Sequence, residues 1–347
     1  MPLTRRQLTG TGFAAAITGG GAFGVRAKEM MMTDATALNV PAQVIPPPKS
    51  LSTQAQSFLS LAAARITASG GAPATVQDGA KAALQMLRPM AERFDGSLEA
   101  LPLPGGAKLY RVQPRGMQGR QTELAYLDIH GGGFVGGGGE AKLRAMDYGV
   151  TIYAVDYRLA PEHRYPAALD DCMHAYREVL KRHGASSLIV GGASAGGNLA
   201  AAVMLRAKGE GLALPKALLL LTPALDLART GDTYATNRFL DVNLYGGAEE
   251  GPAAYAGGAD PKTPYLSPLY GDVSGGWPPT LLSSGTRDLL LSDTVRMHRA
   301  LRRAGVAAEL HVTEAGPHGG FMGSAPEDQE IMAECRRFVR EAWGLQD

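Results

Sequence analysis

The pentapeptide Gly192-Ala193-Ser194-Ala195-Gly196 is the feature that most constrains how this chain can fold. It directly follows the apolar segment 187–191 and directly precedes an alanine-rich segment, 196–207, that has helical character. A sharp turn from a strand into a helix forces its central residue into a strained conformation, and glycines must flank it because side chains there would clash with neighbouring backbone. Such a turn lifts the hydroxyl of Ser194 into solvent. We therefore predict that Ser194 is a nucleophile at the end of a strand.

The segments around this turn alternate between short apolar runs and longer amphipathic ones from Gly105 onward. This alternation predicts an α/β fold, with a mostly parallel central sheet flanked by helices. The predicted strands are 107–113, 124–130, 150–156, 187–191, 217–222, 280–284 and 308–313. The predicted helices are 141–148, 167–183, 196–207, 292–304 and 327–343. Upstream, residues 51–94 place apolar side chains at helical spacing, which predicts two or three helices and no strand.

The first 27 residues are predicted to be a twin-arginine-type signal peptide. They contain Arg5-Arg6, then a mildly apolar run rich in glycine and alanine, and they end at Ala27, where cleavage is expected. The expected location of the mature protein is therefore periplasmic or secreted. Residues 28–49, with Pro46-Pro47-Pro48, are predicted to form an extended linker.

Composition excludes several classes of partner. The chain of 347 residues balances 34 Lys and Arg against 33 Asp and Glu, a net charge of +1, so we expect no nucleic acid to be bound through its phosphates. Gly, Pro or charged residues interrupt every long apolar stretch, and we expect no membrane span. The two cysteines, Cys172 and Cys335, cannot build a disulfide framework or a zinc site, and two free core thiols are expected. Formation of a homo-oligomer is left open.

A second glycine-rich motif, His130-Gly131-Gly132-Gly133, follows the strand-forming residues 124–129. Successive glycines let backbone N–H groups turn towards one point. An acyl-transfer enzyme needs such donors where negative charge develops on the carbonyl oxygen of its substrate. We therefore predict an oxyanion hole formed by the N–H groups of Gly132, Gly133 and Ala195.

The same glycines allow a competing interpretation. Residues 131–136 also spell Gly-x-Gly-x-x-Gly after a strand, and Asp156 lies 20 residues beyond Gly136, as in a dinucleotide-binding fingerprint. An NAD-dependent oxidoreductase is therefore an alternative. Against it, the glycine run continues through Gly139, where a helix should already hold the phosphates. A dinucleotide site also does not explain the turn at Ser194.

A serine nucleophile needs a histidine that takes its proton. Three histidines follow Ser194 in the chain. His298 falls in a predicted helix and His311 in a predicted strand, whereas His318 lies in a loop after the last predicted strand. We therefore predict that His318 is the base.

The histidine in turn needs a carboxylate that fixes its tautomer. Asp288 follows the predicted strand 280–284 and is the predicted partner. Asp293 is the alternative, although its place at the start of a helix fits a helix cap better. Asp226, after strand 217–222, is a weaker candidate.

Taken together, these segments resemble the hormone-sensitive-lipase-like family of α/β-hydrolases. The resemblance spans about residues 50 to 345. It rests on four blocks, which are His130–Phe134, residues 156–162, Gly192–Gly197, and Gly285–Asp293 together with His318. The sequence departs from the family's usual pattern at two positions. Ala193 precedes the serine where Asp or Thr is common, and a second glycine follows His318.

The resemblance implies an α/β-hydrolase fold with Ser194 as nucleophile, His318 as base and Asp288 as its partner. It implies a catalytic domain over residues 96–347. A helical cap would come from the N-terminal helices, 50–95, and from an insertion at about 226–265. We also expect the block 156–162 to brace the loop of the predicted oxyanion hole.

The activity that the resemblance implies is that of a serine carboxylesterase. Such an enzyme hydrolyses short- to medium-chain carboxylic esters through an acyl-enzyme and needs no metal and no organic cofactor. A lactone hydrolase or a deacetylase would use the same three residues. A non-catalytic ligand-binding protein on the same scaffold is an alternative of a different class.

Overall fold

The central sheet of the protein is mostly parallel. The computed structural model describes residues 37–71 and 75–345, and within these ranges the strands are β1 (Gly96–Pro102), β2 (Lys108–Pro114), β3 (Ala125–Ile129), β4 (Thr151–Asp156), β5 (Leu188–Ala193), β6 (Ala217–Leu221), β7 (Thr280–Gly285) and β8 (Ala308–Thr313). They form one sheet in the order β1-β2-β4-β3-β5-β6-β7-β8. β2 pairs antiparallel with β1 and with β4, and the other pairings are parallel.

Helices connect the parallel strands and cover the sheet. They are α1 (Thr53–Ala68), α2 (Val76–Ala91), α3 (Ala141–Tyr148), α4 (Ala167–His183), α5 (Ala195–Gly209), α6 (Thr233–Thr236), α7 (Glu250–Ala256), α8 (Leu291–Arg303) and α9 (Pro326–Trp343). The predicted α/β fold is confirmed. Each predicted strand and each of the five helices predicted between or after the strands is present, with ends within two residues of those expected.

The sequence pattern missed β1. This strand lies at the edge of the sheet, and its side chains are exposed at almost every position. A strand without a buried face has no alternation of apolar and polar residues, so hydrophobic periodicity does not mark it. The described residues within 51–94, which are 51–71 and 75–94, contain α1, α2 and no strand, as predicted.

Two apolar cores lie on opposite faces of the sheet. Val190 and Leu220 belong to the core that contains α4, α5 and α8, whereas Ile189 and Leu219 belong to the core that contains α3 and α9. Strand side chains alternate between faces, so a sheet with apolar residues at every position must be covered on both sides. Cys172 lies in the first core and Cys335 in the second; both are buried and free, as predicted, and burial raises the pKa of both thiols.

The N-terminal helix α1 packs against the loop that follows β8. Leu59 and Phe321 are buried together, and the ring of Phe58 meets the ring of Phe321 edge-on, with centroids 5.9 Å apart. At the start of α1, the backbone N–H and the hydroxyl of Ser52 both donate to Glu327, each at 2.7 Å. These contacts fix the loop that carries His318.

The compact unit that holds the sheet begins at Pro46. Residues 37–45, within the predicted linker, contain neither helix nor strand. The predicted signal peptide, residues 1–27, lies outside the described residues. In the part of the chain that the structure describes, we find no helix with the length and apolar character needed to cross a membrane.

The turn between β5 and α5 consists of Ser194, with φ of 55° and ψ of −120°. This backbone conformation costs a residue other than glycine about 1–3 kcal/mol, so the predicted strain is confirmed. Gly196 lets α5 begin directly against the end of β3. A Cβ atom at this position would overlap the carbonyl oxygen of Ile129 and lie 2.5 Å from that of His130.

We predict that Gly196→Ala lowers the free energy of unfolding by more than about 2 kcal/mol, because the added methyl group must push two backbone carbonyls aside. Urea denaturation measures this loss. Gly79→Ala in α2 is the matched control, since a Cβ there meets nothing within 4 Å. The control should be neutral or more stable by up to about 1 kcal/mol. A Gly196→Ala protein as stable as the wild type would contradict this account of the turn.

Candidate active site

The structure brings Ser194 and His318 together although 124 residues separate them in the chain. The Oγ atom of Ser194 lies 2.9 Å from Nε2 of His318. Ser194 stands at the carboxyl end of β5 and His318 in the loop after β8, at the same edge of the parallel sheet. The serine is half-buried and the histidine is almost fully buried. This geometry allows the imidazole to accept the hydroxyl proton.

The predicted acid, Asp288, lies on the other side of the imidazole. Its Oδ1 is 3.0 Å from Nδ1 of His318. The carboxylate is fully buried, and it accepts hydrogen bonds from Ser284 Oγ at 2.7 Å and from the backbone N–H of Leu290 at 2.9 Å. These donors hold the carboxylate in one orientation, and the carboxylate holds the imidazole with Nε2 towards Ser194.

The surroundings of His318 favour its protonated form. Burial alone would lower the pKa of His318, but the charge of Asp288, its hydrogen bond and the charge of Asp241 outweigh burial. The pKa of His318 is therefore raised above its ordinary value. A more basic histidine is better able to take the proton from a serine hydroxyl.

The predicted oxyanion loop lies against the serine turn. Gly132 and Gly133 both have positive φ values, 103° and 60°. A Cβ atom on Gly131 would lie 3.3 Å from Cβ of Ser194, so this loop packs directly on the nucleophile. Within the described residues we find no acceptor for the N–H groups of Gly132, Gly133 and Ala195. Three N–H groups near Ser194 are thus available to a ligand.

The block after β4 braces this loop, as predicted. The hydroxyl of Tyr157 donates to the carbonyl oxygen of His130 at 2.9 Å, and the two rings stack with centroids 4.2 Å apart. The backbone N–H of Ala160 donates to the carbonyl oxygen of Phe134, also at 2.9 Å. His130 is therefore a structural member of the motif: its ring packs on Tyr157, and its Nδ1 lies 2.7 Å from the carbonyl oxygen of Gly131.

The dinucleotide-binding alternative lacks its geometry. In that fingerprint the glycines lead straight into a helix whose N-terminus holds the phosphates. Here the helix α3 begins at Ala141, after three more glycines with positive φ, Gly137, Gly138 and Gly139. Asp156 is exposed at the end of β4.

The two alternative acids are engaged elsewhere. Asp226 is buried and binds Arg296 at 2.7 Å and the hydroxyl of Thr230 at 2.6 Å. The expectation that Asp293 caps its own helix is wrong: its Oδ2 accepts from the backbone N–H groups of Leu225 and Asp226, at 2.8 and 2.9 Å, and from a tyrosine hydroxyl. It fixes the loop after β6 to the start of α8. Asp226 lies 67 residues before Asp293 in the chain, so local sequence could not reveal this contact.

No motif or periodicity marks the polar residues of the insertion that contact this site. Asp241, Asn237 and Asn243 are hydrogen-bonded to the loops that carry Asp288 and His318. Asp241 is fully buried. A stretch of seven residues with three Asn or Asp side chains is the only local signal, and it is as typical of an exposed turn.

A cavity of about 290 Å³ lies beside the loop that carries His318, although none of Ser194, Asp288 and His318 is among the residues that line it. It is bounded by Gly319, the neighbour of His318, and by Leu221, whose carbonyl oxygen accepts the backbone N–H of Ser194 at 2.9 Å. The other walls are largely apolar and include Leu87, Leu143, Met322, Ile331 and Met332. Among the residues that the structure describes, no group of three His, Cys, Asp or Glu side chains is arranged as a metal site.

Comparison with known proteins places this geometry in a family. A family model described as alpha/beta hydrolase fold matches residues 126–322. The chain belongs to this family. Its relatives include bacterial esterases of the hormone-sensitive lipase family, and the predicted resemblance to that group is confirmed.

Three similar proteins illustrate the relationship. An esterase of Acinetobacter venetianus is 32% identical over 232 residues, which are 64% of this chain and 76% of the relative. The crystal structure of an esterase E25 is 33% identical, with a TM-score of 0.76, and the alignment covers 88% of this chain and 98% of the other. An esterase from the bacterial hormone-sensitive lipase family is 30% identical, with a TM-score of 0.73 and coverage of 84% and 99%.

The buried carboxyl group of Asp293 gives a prediction about stability. Burial raises the pKa of Asp293 to about 7, although the hydrogen bond from Tyr234 opposes this. The folded protein then holds a proton that the unfolded chain releases, so this group's contribution to stability is lost as the pH rises from about 4 to 7. Asp293→Asn removes that linkage. Its Tm should fall less than the wild-type Tm over this range, as measured by calorimetry.

The control for this measurement is Asp260→Asn, at an exposed aspartate. Its Tm should depend on pH as the wild-type Tm does. The same pH dependence in Asp293→Asn and in the wild type would show that the buried carboxyl group is not linked to folding.

Proposed function

We propose that this protein hydrolyses short- to medium-chain carboxylic esters through an acyl-enzyme formed on Ser194. Its class, carboxylic-ester hydrolase, agrees with the esterase names of its relatives. The observation that carries the mechanism is the continuous hydrogen-bonded chain from Ser194 Oγ through His318 to Asp288, with contacts of 2.9 and 3.0 Å.

In the first half of the reaction, Ser194 Oγ attacks the carbonyl carbon of the ester while His318 Nε2 takes the hydroxyl proton. The resulting imidazolium is stabilised by Asp288, and the negative charge on the carbonyl oxygen is stabilised by the N–H groups of Gly132, Gly133 and Ala195. When the tetrahedral intermediate collapses, the C–O bond to the alcohol breaks. His318 then gives its proton to the departing alcohol.

The second half of the reaction repeats these roles with water. His318 takes a proton from a water molecule, and the hydroxide attacks the acyl carbon. The bond to Ser194 breaks, the proton returns from His318 to the serine oxygen, and the carboxylic acid leaves. These steps involve no metal ion or organic cofactor.

The apolar cavity beside Gly319 and Leu221 supports this choice of substrate. We assign it to an apolar part of the ester, because transfer of apolar surface out of water is favourable. The helices α1 and α2 and the insertion at about 226–265 would form the cap over this region. Lactone hydrolysis and deacetylation follow the same steps and stay as alternatives. A protein that only binds a ligand would not need the acid, base and nucleophile to be aligned.

We further propose that the protein is exported. Support comes from Arg5-Arg6 and the Gly/Ala-rich run before Ala27. When the full-length chain is expressed with both arginines replaced by lysine, esterase activity should shift from the periplasmic fraction to the cytoplasmic fraction. An unchanged distribution would contradict twin-arginine export.

The nucleophile is tested with p-nitrophenyl esters of graded acyl length. We expect the protein to release p-nitrophenol in a burst followed by turnover, because the acyl-enzyme forms before it is hydrolysed. Ser194→Ala should lose about 10³-fold or more in kcat with little change in KM. The preference among acyl lengths then shows how much of the cavity the acyl group uses. Equal activity of Ser194→Ala and the wild type would refute the mechanism.

The acid is tested by comparing two buried aspartates. Asp288→Asn should lower kcat by on the order of 10³-fold, because Nδ1 of His318 loses the acceptor that fixes its tautomer. Asp293→Asn, which contacts neither Ser194 nor His318, should change kcat by only a few-fold. Equal losses in the two variants would rule out the assignment of Asp288.

A further inference from the structure

A short segment of the insertion holds the two loops that carry Asp288 and His318. This clamp segment, residues 237–243, binds them with three polar side chains. The amide of Asn237 donates to the carbonyl oxygen of Asp288 at 2.8 Å. The amide of Asn243 donates to the carbonyl oxygen of His318 at 2.8 Å. The clamp segment therefore fixes the backbone of both residues.

Asp241 occupies the centre of the clamp segment and joins the two loops directly. Its Oδ2 accepts the backbone N–H of Leu289 at 2.8 Å, and both of its oxygens lie 3.2 Å from the backbone nitrogen of His318. Its Oδ1 also accepts the N–H groups of Asn243 and Leu244, at 2.9 and 3.1 Å. A buried carboxylate with four N–H donors is held in one position.

The charge of Asp241 acts on the proposed base. The titratable groups that face it are Asp288, on the loop after β7, and His318, on the loop after β8. Burial and the charge of Asp288 raise the pKa of Asp241 to about 6, against the opposing charge of His318. Asp241 in turn helps to raise the pKa of His318. Two buried carboxylates thus act on one imidazole, Asp288 through a hydrogen bond and its charge, and Asp241 through its charge alone.

We propose that Asp241 is a positioning residue for the hydrolytic reaction. Its carboxylate fixes the distance between the loops of Asp288 and His318, and its negative charge stabilises the imidazolium that forms when Ser194 attacks the ester. Asp241 has no hydrogen bond to the hydroxyl of Ser194, and it acts through His318. This inference rests on the proposed function.

The first test is the pH profile of kcat/KM for Asp241→Asn. His318 must be neutral to accept a proton, so activity falls on the acid side as His318 becomes protonated. Without the negative charge of Asp241, His318 is protonated only at lower pH. The acid limb of the profile should therefore move to lower pH. On the plateau, kcat should fall on the order of 10-fold with KM unchanged.

Asp293→Asn is the matched control for this experiment. Asp293 is as fully buried as Asp241 and also binds two backbone N–H groups, both of the loop after β6, but it does not contact His318. Its acid limb should coincide with that of the wild type. The proposal is overturned if Asp241→Asn leaves the acid limb in place, or if Asp293→Asn moves it equally.

Asn243→Ala separates position from charge. This change removes the hydrogen bonds to the carbonyl oxygens of His318 and Gly320, at 2.8 and 3.1 Å, without altering any charge. We expect kcat to fall while the acid limb stays at the wild-type pH. Movement of the limb in this variant would mean that loss of geometry alone explains the effect, and would contradict a role for the charge.

A third measurement needs neither a substrate nor a folded Asp241→Asn protein. In Ser194→Ala protein with isotope-labelled histidine, the NMR titration of His318 should show two inflections, because a coupled pair releases its protons in two shared steps. A single inflection would overturn the proposal. If the wild type hydrolysed no ester, the proposed function would fail, whereas this titration would still decide whether His318 is coupled to a buried carboxyl group.

Discussion

The hydrogen bond between the buried carboxylate of Asp288 and the ring of His318 is the interaction on which the rest of the site depends. A carboxylate without exposure to solvent is costly unless donors surround it, and Asp288 has three: the imidazole, the hydroxyl of Ser284 and the N–H of Leu290. These donors leave the imidazole one orientation, with Nε2 towards Ser194. The orientation of the proposed base is thus set by packing and hydrogen bonds before any substrate arrives.

Sheet topology explains how residues so distant in the chain meet. β3, β5, β7 and β8 are parallel, so their carboxyl ends lie along one edge. The predicted oxyanion loop, Ser194, Asp288 and His318 each follow one of these ends. Such an arrangement is why ligands of open α/β sheets bind beyond the carboxyl ends of strands. The positive φ of Ser194 is the local cost of projecting the hydroxyl from this edge.

Much of this arrangement could be predicted because its determinants are local. The turn at Ser194 needs glycine on both sides, and the crossover helices need amphipathic spacing, so both are visible in a few consecutive residues. The features that were not predicted lack such local determinants. β1 has no buried face, Asp293 binds the loop after β6 instead of its own helix, and Asp241 joins loops 48 and 77 residues away. A polar side chain with distant partners leaves no periodic pattern.

The buried carboxylates show a compromise between stability and function. Burial raises the pKa of Asp241 to about 6 and that of Asp293 to about 7, so each is held in a place that disfavours its charge. For Asp293, the hydrogen bonds that hold the loop after β6 to α8 offset this cost of burial. Asp241 holds two loops as well, but it also places a negative charge beside His318, which an amide of the same shape could not do. The cost of burying that charge is therefore better explained by the histidine than by the fold.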